Sequence, residues 1–311
     1  MTLLLSRSDL EELLDVGGCL AMLRRGFLAE PSPIAAQRVR TGLPGPGTAT
    51  ALIPGLVEGV PAYTVKVNAK FPGSRPALRG VVCLHDARSG ELLALLDSAT
   101  VTAWRTGLSA ALGTHALARP AARTVTVIGA GAQAELMLHG LGALRAWDRL
   151  TVCDTDPGRA RDFARRRGGT VAADPRGAAR EADIVLLATW SRTPLLDHGD
   201  VRPGAQVTSL GADEPGKAEL SPALLAAARV LVDDVPLALG MGAPGTAGLS
   251  AADIAGTLSQ VLRGTVPGRL TDAEVTVYTP VGLPWQDLAL AWAAYHQARA
   301  AGRGREVDLL A

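Results

Sequence analysis

The sequence is poor in cysteine, lysine and aromatic residues and carries no long apolar run. Its three cysteines, Cys19, Cys83 and Cys153, lie far apart and show no CxxC spacing. That excludes a disulfide framework and suits a reducing, cytoplasmic compartment. The five histidines show neither HxH nor HxxxH spacing, so no metal site is expected. No segment approaches the roughly 18 uninterrupted apolar residues of a membrane span. The opening "MTLLLSRSDLEELLDV" breaks its leucine run with Ser, Arg and acids, unlike a signal peptide. Charge of either sign is not in excess: Lys+Arg 31 against Asp+Glu 30 leaves +1. Without a basic field, neither nucleic acid nor an anionic membrane is an expected partner.

What is present is ample core material. The 311 residues are 48% apolar and 20% charged, enough for one large domain or two ordinary ones. Residues 1–97 read as a short helix followed by strands broken at Pro/Gly turns, with a hairpin around Ser89-Gly90 in "GVVCLHDARSGELLALLD". A helix over about 98–118 follows, ending before "ARPAART". From Thr124 strands alternate with helices, the rhythm of a parallel sheet covered on both faces. The expected architecture is α/β in two domains. A mixed α+β substrate-binding and dimerisation domain spans 1–118 and is completed by the C-terminal helix, 281–311. A doubly wound, Rossmann-type nucleotide domain spans 119–280.

Four stretches carry chemistry. Gly129-Ala130-Gly131-Ala132-Gln133-Ala134 is GxGxxA, directly after the strand "TVTVI" and opening a helix. The first glycine permits the tight turn, the second the approach of a pyrophosphate, and the helix N-terminus faces the phosphates. Asp154, ending the next strand, is placed to accept from ribose hydroxyls, which favours NAD; Arg159 close by leaves NADP open. Thr189 and Trp190 should lie at the same strand-end rim. Asp213, just past the strand "AQVTSL", lies where open α/β sheets bind ligands, though Asp before Glu-Pro also reads as a helix cap. Arg105 falls about 40° from Val101 on a helical wheel, inside the stripe of Val101, Trp104, Leu108 and Leu112. A guanidinium there needs either an internal acid or a substrate carboxylate. Finally, "AYTVKVNAKFPG" alternates as a strand, with Thr64, Lys66, Asn68 and Lys70 on one face. Facing water, Lys66 is unremarkable; facing a pocket, it awaits an anion.

Together with "QRVRTGLP", "WSRTPLL", "GADEPGKAEL" and "VGLPWQDLALA", these stretches resemble the ornithine cyclodeaminase/μ-crystallin family of NAD(P)-dependent enzymes almost end to end. The resemblance implies that Lys66 is the active-site lysine and Arg105 a carboxylate-binding arginine. It makes Asp213 the aspartate beside the nicotinamide and Arg38 a second carboxylate ligand, with Arg40 the alternative. It also implies a homodimer formed through the strand-rich domains, and a polar face of 62–70 turned into a cleft. Members that cyclise ornithine use a glutamate beyond the first arginine, and "GPGTATALIP" has no acid. Arg79 stands where the family commonly has a neutral amide and is expected to add positive charge near the pocket; Trp190 stands where the family has a small residue. The expected activity is therefore oxidation or reduction at the Cα–N bond of an amino acid or its imine, with a neutral or acidic side chain. The alternatives are a cyclodeaminase with no net NAD consumption, and a non-catalytic ligand carrier of μ-crystallin type.

Overall fold

In the computed structural model all residues are described except Pro33, Pro46, Pro72, Gly73, Arg75, Pro76, Asp213, Pro215 and Leu310. The strands are β1 (Thr2–Leu5), β2 (Gln37–Gly42), β3 (Thr48–Gly55), β4 (Ala62–Lys70), β5 (Leu78–Asp86), β6 (Leu92–Asp97), β7 (Thr124–Ile128), β8 (Arg149–Cys153), β9 (Thr170–Val171), β10 (Ile184–Leu187), β11 (Gln206–Ser209), β12 (Arg229–Val232), β13 (Ile254–Thr257), β14 (Thr276–Tyr278) and β15 (Arg305–Val307). They form two sheets, in two compact units: Met1–Arg105 with Leu283–Ala311, and Thr106–Gly282.

The first unit holds a mixed sheet in the order β15-β1-β6-β5-β4-β3-β2, in which only β1 and β6 run parallel. The C-terminal helix, Pro284–Ala301, packs on β3, β4 and β5 and on helix α2 (Val16–Leu28), which follows α1 (Arg7–Leu13). Proline at its first turn starts this helix without losing a needed donor, and Gly302 ends it in the left-handed conformation at φ +62. Leu288 and Leu290 are fully buried, each worth about 1.5–3 kcal/mol of apolar transfer. Trp285 meets Phe27 edge-on at 4.9 Å and fills the space over Gly26, where a Cβ would come within 2.2 Å of its ring.

Strand β4 buries the face an apolar/polar reading would turn outward. Ala62, Thr64, Lys66 and Asn68 are buried, while Val67 is 46% exposed. The cause is the C-terminal helix, which covers the Lys66 face and leaves the valine face uncovered within the unit.

The second unit is a fully parallel sheet in the order β13-β12-β14-β11-β10-β7-β8-β9. Its central strands are apolar on both faces because helices cover both. Val125, Val127, Ile184 and Leu186 join one core with Met137, Leu138 and Phe163; Val185, Leu187, Val207 and Val277 join the other. Chain direction across the sheet reverses between β7 and β10, which are neighbours although β8 and β9 intervene in sequence. That is the switch point at which such sheets bind ligands. Helix α3 (Ser98–Leu117) starts in the first unit and continues into the second, and it is capped by the Asp97 carboxylate, which accepts from Thr100 N at 2.8 Å.

Candidate active site

The cofactor cleft is built at the switch point. Gly129, at φ +93, turns the chain out of β7; a Cβ there would lie 2.6 Å from the Ala188 carbonyl oxygen, so only glycine fits. Gly131 is the N-cap of helix α4 (Ala132–Leu144) and provides no side-chain cap, and a Cβ on it would meet nothing within 4 Å. The helix start is thus uncrowded and its first-turn amides carry no side-chain cap, as an anion site requires. The Asp154 side chain accepts from Ala130 N at 2.7 Å and from Asp156 N at 2.8 Å, and Arg159 Nη1 lies 3.3 Å from it. A cleft of about 460 Å³ is lined by Gly129, Gly131, Asp154, Arg159, Thr189 and Trp190 among others. Its size suits a nucleotide, and the glycine cradle and ribose-level acid fit a dinucleotide.

Glu219 was not singled out in the sequence. It is fully buried and accepts four hydrogen bonds: Thr189 N and Oγ1 at 2.6 and 2.7 Å, Ser209 Oγ at 2.6 Å and Gly211 N at 2.8 Å. Burial pushes its carboxyl pKa up, and these four donors work against that. The carboxylate thus ties the ends of β10 and β11 together beneath the cleft rim. Trp190, 61% exposed, carries the Lys217 ammonium 4.6 Å from its ring centre. Asp213 lies outside the described residues.

The second cluster belongs to the first unit. Register across the sheet puts Arg38, Leu52, Lys66, Val82 and Leu96 in one row and Arg40, Thr50, Asn68 and Gly80 in the next, all on one face. Arg38 shares its row with Lys66; Arg40 does not. Arg79 pairs with Ala69 and so stands on the opposite face, which corrects the expectation that its charge adds to this site. The inward positions of β3 are Thr48, Thr50 and Leu52, none of them acidic.

Lys66, 1% exposed, has its Nζ 2.6 Å from Asp287 Oδ2 and donates to Thr102 Oγ1 at 3.3 Å. Arg105, 5% exposed, has its Nε 3.3 Å from Asp287 Oδ1 and donates from Nη1 to Gln286 Oε1 at 3.3 Å. Burial lowers the Lys66 pKa to about 7; Asp287 opposes this, and Arg105 and Arg38 reinforce it. Asp287 and Gln286 come from "WQDLALA" in the C-terminal helix and were missed as site residues. The available signal was an acid inside an apolar helical run, the same signal that exposes Arg105. Among the described residues no three His, Cys, Asp or Glu side chains gather as a metal site.

A parallel sheet with a glycine turn at its switch point and an acid after the neighbouring strand defines a dinucleotide-binding α/β protein. The model of the ornithine cyclodeaminase/mu-crystallin family matches residues 2–302, and the chain belongs to that family. It is 32% identical over 276 residues to a Delta(1)-pyrroline-2-carboxylate reductase of Bacillus cereus, covering 83% of this chain and 85% of that one. Among solved structures it resembles an archaeal alanine dehydrogenase dimer with bound NAD, at TM-score 0.91 and 26% identity over 99% of both chains. It also resembles the Thermococcus litoralis Delta(1)-pyrroline-2-carboxylate reductase in complex with NADH and L-proline, at TM-score 0.90 and 27% identity over 98% of this chain and 100% of that one. No helix among the described residues is long and apolar enough to cross a membrane.

Proposed function

We propose that this protein is an NAD-dependent oxidoreductase acting on the Cα–N bond of an amino acid or of the corresponding imine, as an amino-acid dehydrogenase or a ketimine or cyclic-imine reductase. The observation that carries the reading is the buried cation cluster: Lys66 and Arg105 both meet the Asp287 carboxylate, with Arg38 in the same cross-sheet row. The relatives' substrates, pyrroline-2-carboxylate and alanine, share the α-carboxylate that such a cluster takes.

The residues that hold NAD are Gly129, Gly131, Ala132 and Gln133 at the pyrophosphate and Asp154 at the ribose, with Thr189 and Trp190 at the rim. When bound, NAD supplies the hydride acceptor for the substrate carbon, and NADH the donor. Arg105 and Arg38 hold the α-carboxylate and thereby orient Cα. Lys66 donates a hydrogen bond to the same carboxylate and is close enough to neutrality in its titration to move a proton. Asp213, assigned by sequence position, accepts from the amine and offsets the positive charge that develops on nitrogen. The two domains divide these tasks: 119–280 binds nucleotide, and 1–118 with 281–311 binds substrate.

A homodimer follows from the uncovered face of the mixed sheet. Val39, Ala51, Val67 and Val81 form a transverse apolar row there, with Val39 55% and Val67 46% exposed.

The test is a two-way panel followed at the NADH absorbance band, with products read by mass spectrometry. Ornithine, lysine and alanine are run with NAD⁺; cyclic imines, and 2-oxo acids with amines, are run with NADH. Net NADH turnover is expected. Proline or pipecolate formed without net NADH would instead make the protein a cyclodeaminase, and binding without turnover a carrier. Lys66→Ala and Asp213→Ala should each lower turnover by about 100-fold or more while NAD binding persists; near-normal turnover in either would refute its assigned role.

A further inference from the structure

Asp287 is a buried charge for which the reaction outlined above has no use. Resting on that functional reading, we propose that Asp287 is a positioning residue that holds Lys66 in its ammonium form, so that Lys66 meets the substrate as a cation and proton donor rather than as a free amine.

Lys66 sits in the middle of β4 under the C-terminal helix, where an isolated ammonium would shed its proton. The charged groups that face it are Asp287 on the C-terminal helix, Arg105 on α3 and Arg38 on β2; Thr102 on α3 accepts its hydrogen bond. Both arginines repel the ammonium, so among the described residues Asp287 is the anion acting in its favour. Asp287 touches two cations and lies at the end of the first turn of an 18-residue helix, whose N-terminal amides favour negative charge. The carboxylate is also delivered rigidly. Pro284 fixes the helix start against Gly55, where a Cβ would come within 2.6 Å of the Pro284 carbonyl, and Trp285 is wedged against Phe27. Lys66, titrating near 7, stands at the border where one neighbouring charge decides its state.

The competing account makes Asp287 a packing partner of Arg105 alone, with no hold on the lysine's proton. The composition provides a direct way to separate the two. The sequence has only three lysines, Lys66, Lys70 and Lys217, so protein labelled with ¹³Cε-lysine gives three ε-methylene signals, assignable with K70R and K217R. Each signal is followed against pH in the wild type and in D287N, D287S and D287E. The wild-type Lys66 signal should titrate near neutrality. In D287N the midpoint should fall by at least one pH unit, so that at pH 7 the signal is that of an amine, and D287E should restore it toward the wild-type position. D287S supplies the same reading where D287N fails to fold, with NAD-induced thermal stabilisation as the check on folding. A Lys66 midpoint unchanged or raised in the uncharged variants overturns the proposal. So does a wild-type signal already fully amine at pH 6.5, which needs no variant. These measurements use neither substrate nor turnover, so a failed activity panel and a failed titration are separate results. With a substrate in hand, the kcat/KM deficit of D287N should widen roughly five- to tenfold between pH 6 and pH 8; a deficit uniform across pH is the result of a merely structural role.

Discussion

Arg105 had two readings in the sequence, a partner for an internal acid or a clamp for a substrate, and the structure puts an internal acid on its Nε edge while its Nη1 donates to Gln286. The two are compatible, because a guanidinium has five donors. Arg105→Lys keeps the charge but loses the planar fork, so substrate KM should rise roughly 10- to 100-fold with a smaller change in kcat, read by steady-state kinetics. An unchanged KM would take Arg105 out of substrate binding. At this scale the sequence was legible where one side chain contradicted its local pattern, as Arg105 does in an apolar stripe. Asp287 breaks its pattern as plainly but sits in a helix's first turn, where acids are ordinary, and its partners are a strand and a helix from distant parts of the chain. Lys66 was legible only through the family resemblance, since alternation alone does not say which face of a strand is covered.

Single elements were legible where their signals are local. The hairpin at Ser89-Gly90, the glycine turn into α4 and the apolar strands β7, β8, β10 and β11 all lie where turn chemistry and hydrophobic runs put them. The short strands β1 and β15 were not: β15 pairs with β1 and β1 with β6, at sequence separations no local pattern records. Glu219 belongs to this scale, because it acts by joining two strand ends. Glu219→Gln puts an amide NH₂ against two donors wherever it is turned, two of the four being backbone N–H groups that cannot reverse. A loss of roughly 1–3 kcal/mol in stability is expected, seen as a Tm lowered by several degrees, with NAD affinity weakened in the same variant. A Tm and NAD Kd both equal to wild type would show the clamp to be dispensable.

For the whole molecule, the apolar row Val39, Ala51, Val67 and Val81 is the feature with the widest reach. Val67→Arg places a charge in the middle of that face without touching Lys66, whose side chain projects from the other side. The variant should sediment as a monomer where the wild type sediments as a dimer; an unchanged dimer would locate the interface elsewhere. The α/β class, a parallel sheet beside a mixed one, was legible from rhythm, because a parallel sheet imposes strand–helix alternation on the chain. The family itself was legible because its motifs run through both units.

The first unit is discontinuous, and this bears on the order in which the protein comes into being. A ribosome delivers Lys66 and its sheet first, then the whole of Thr106–Gly282, and only afterwards the helix that bears Asp287. The nucleotide-binding unit can close while the chain is still being made, but the sheet cannot bury its lysine beside a counter-charge until nearly the last residues emerge. Until then the inner face of that sheet stays open, with Arg38 and Lys66 beside the apolar Leu52, Val82 and Leu96, which are buried in the finished molecule. The cluster of Lys66, Arg105 and Asp287 is thus completed last, with the same helix that closes the core of its unit.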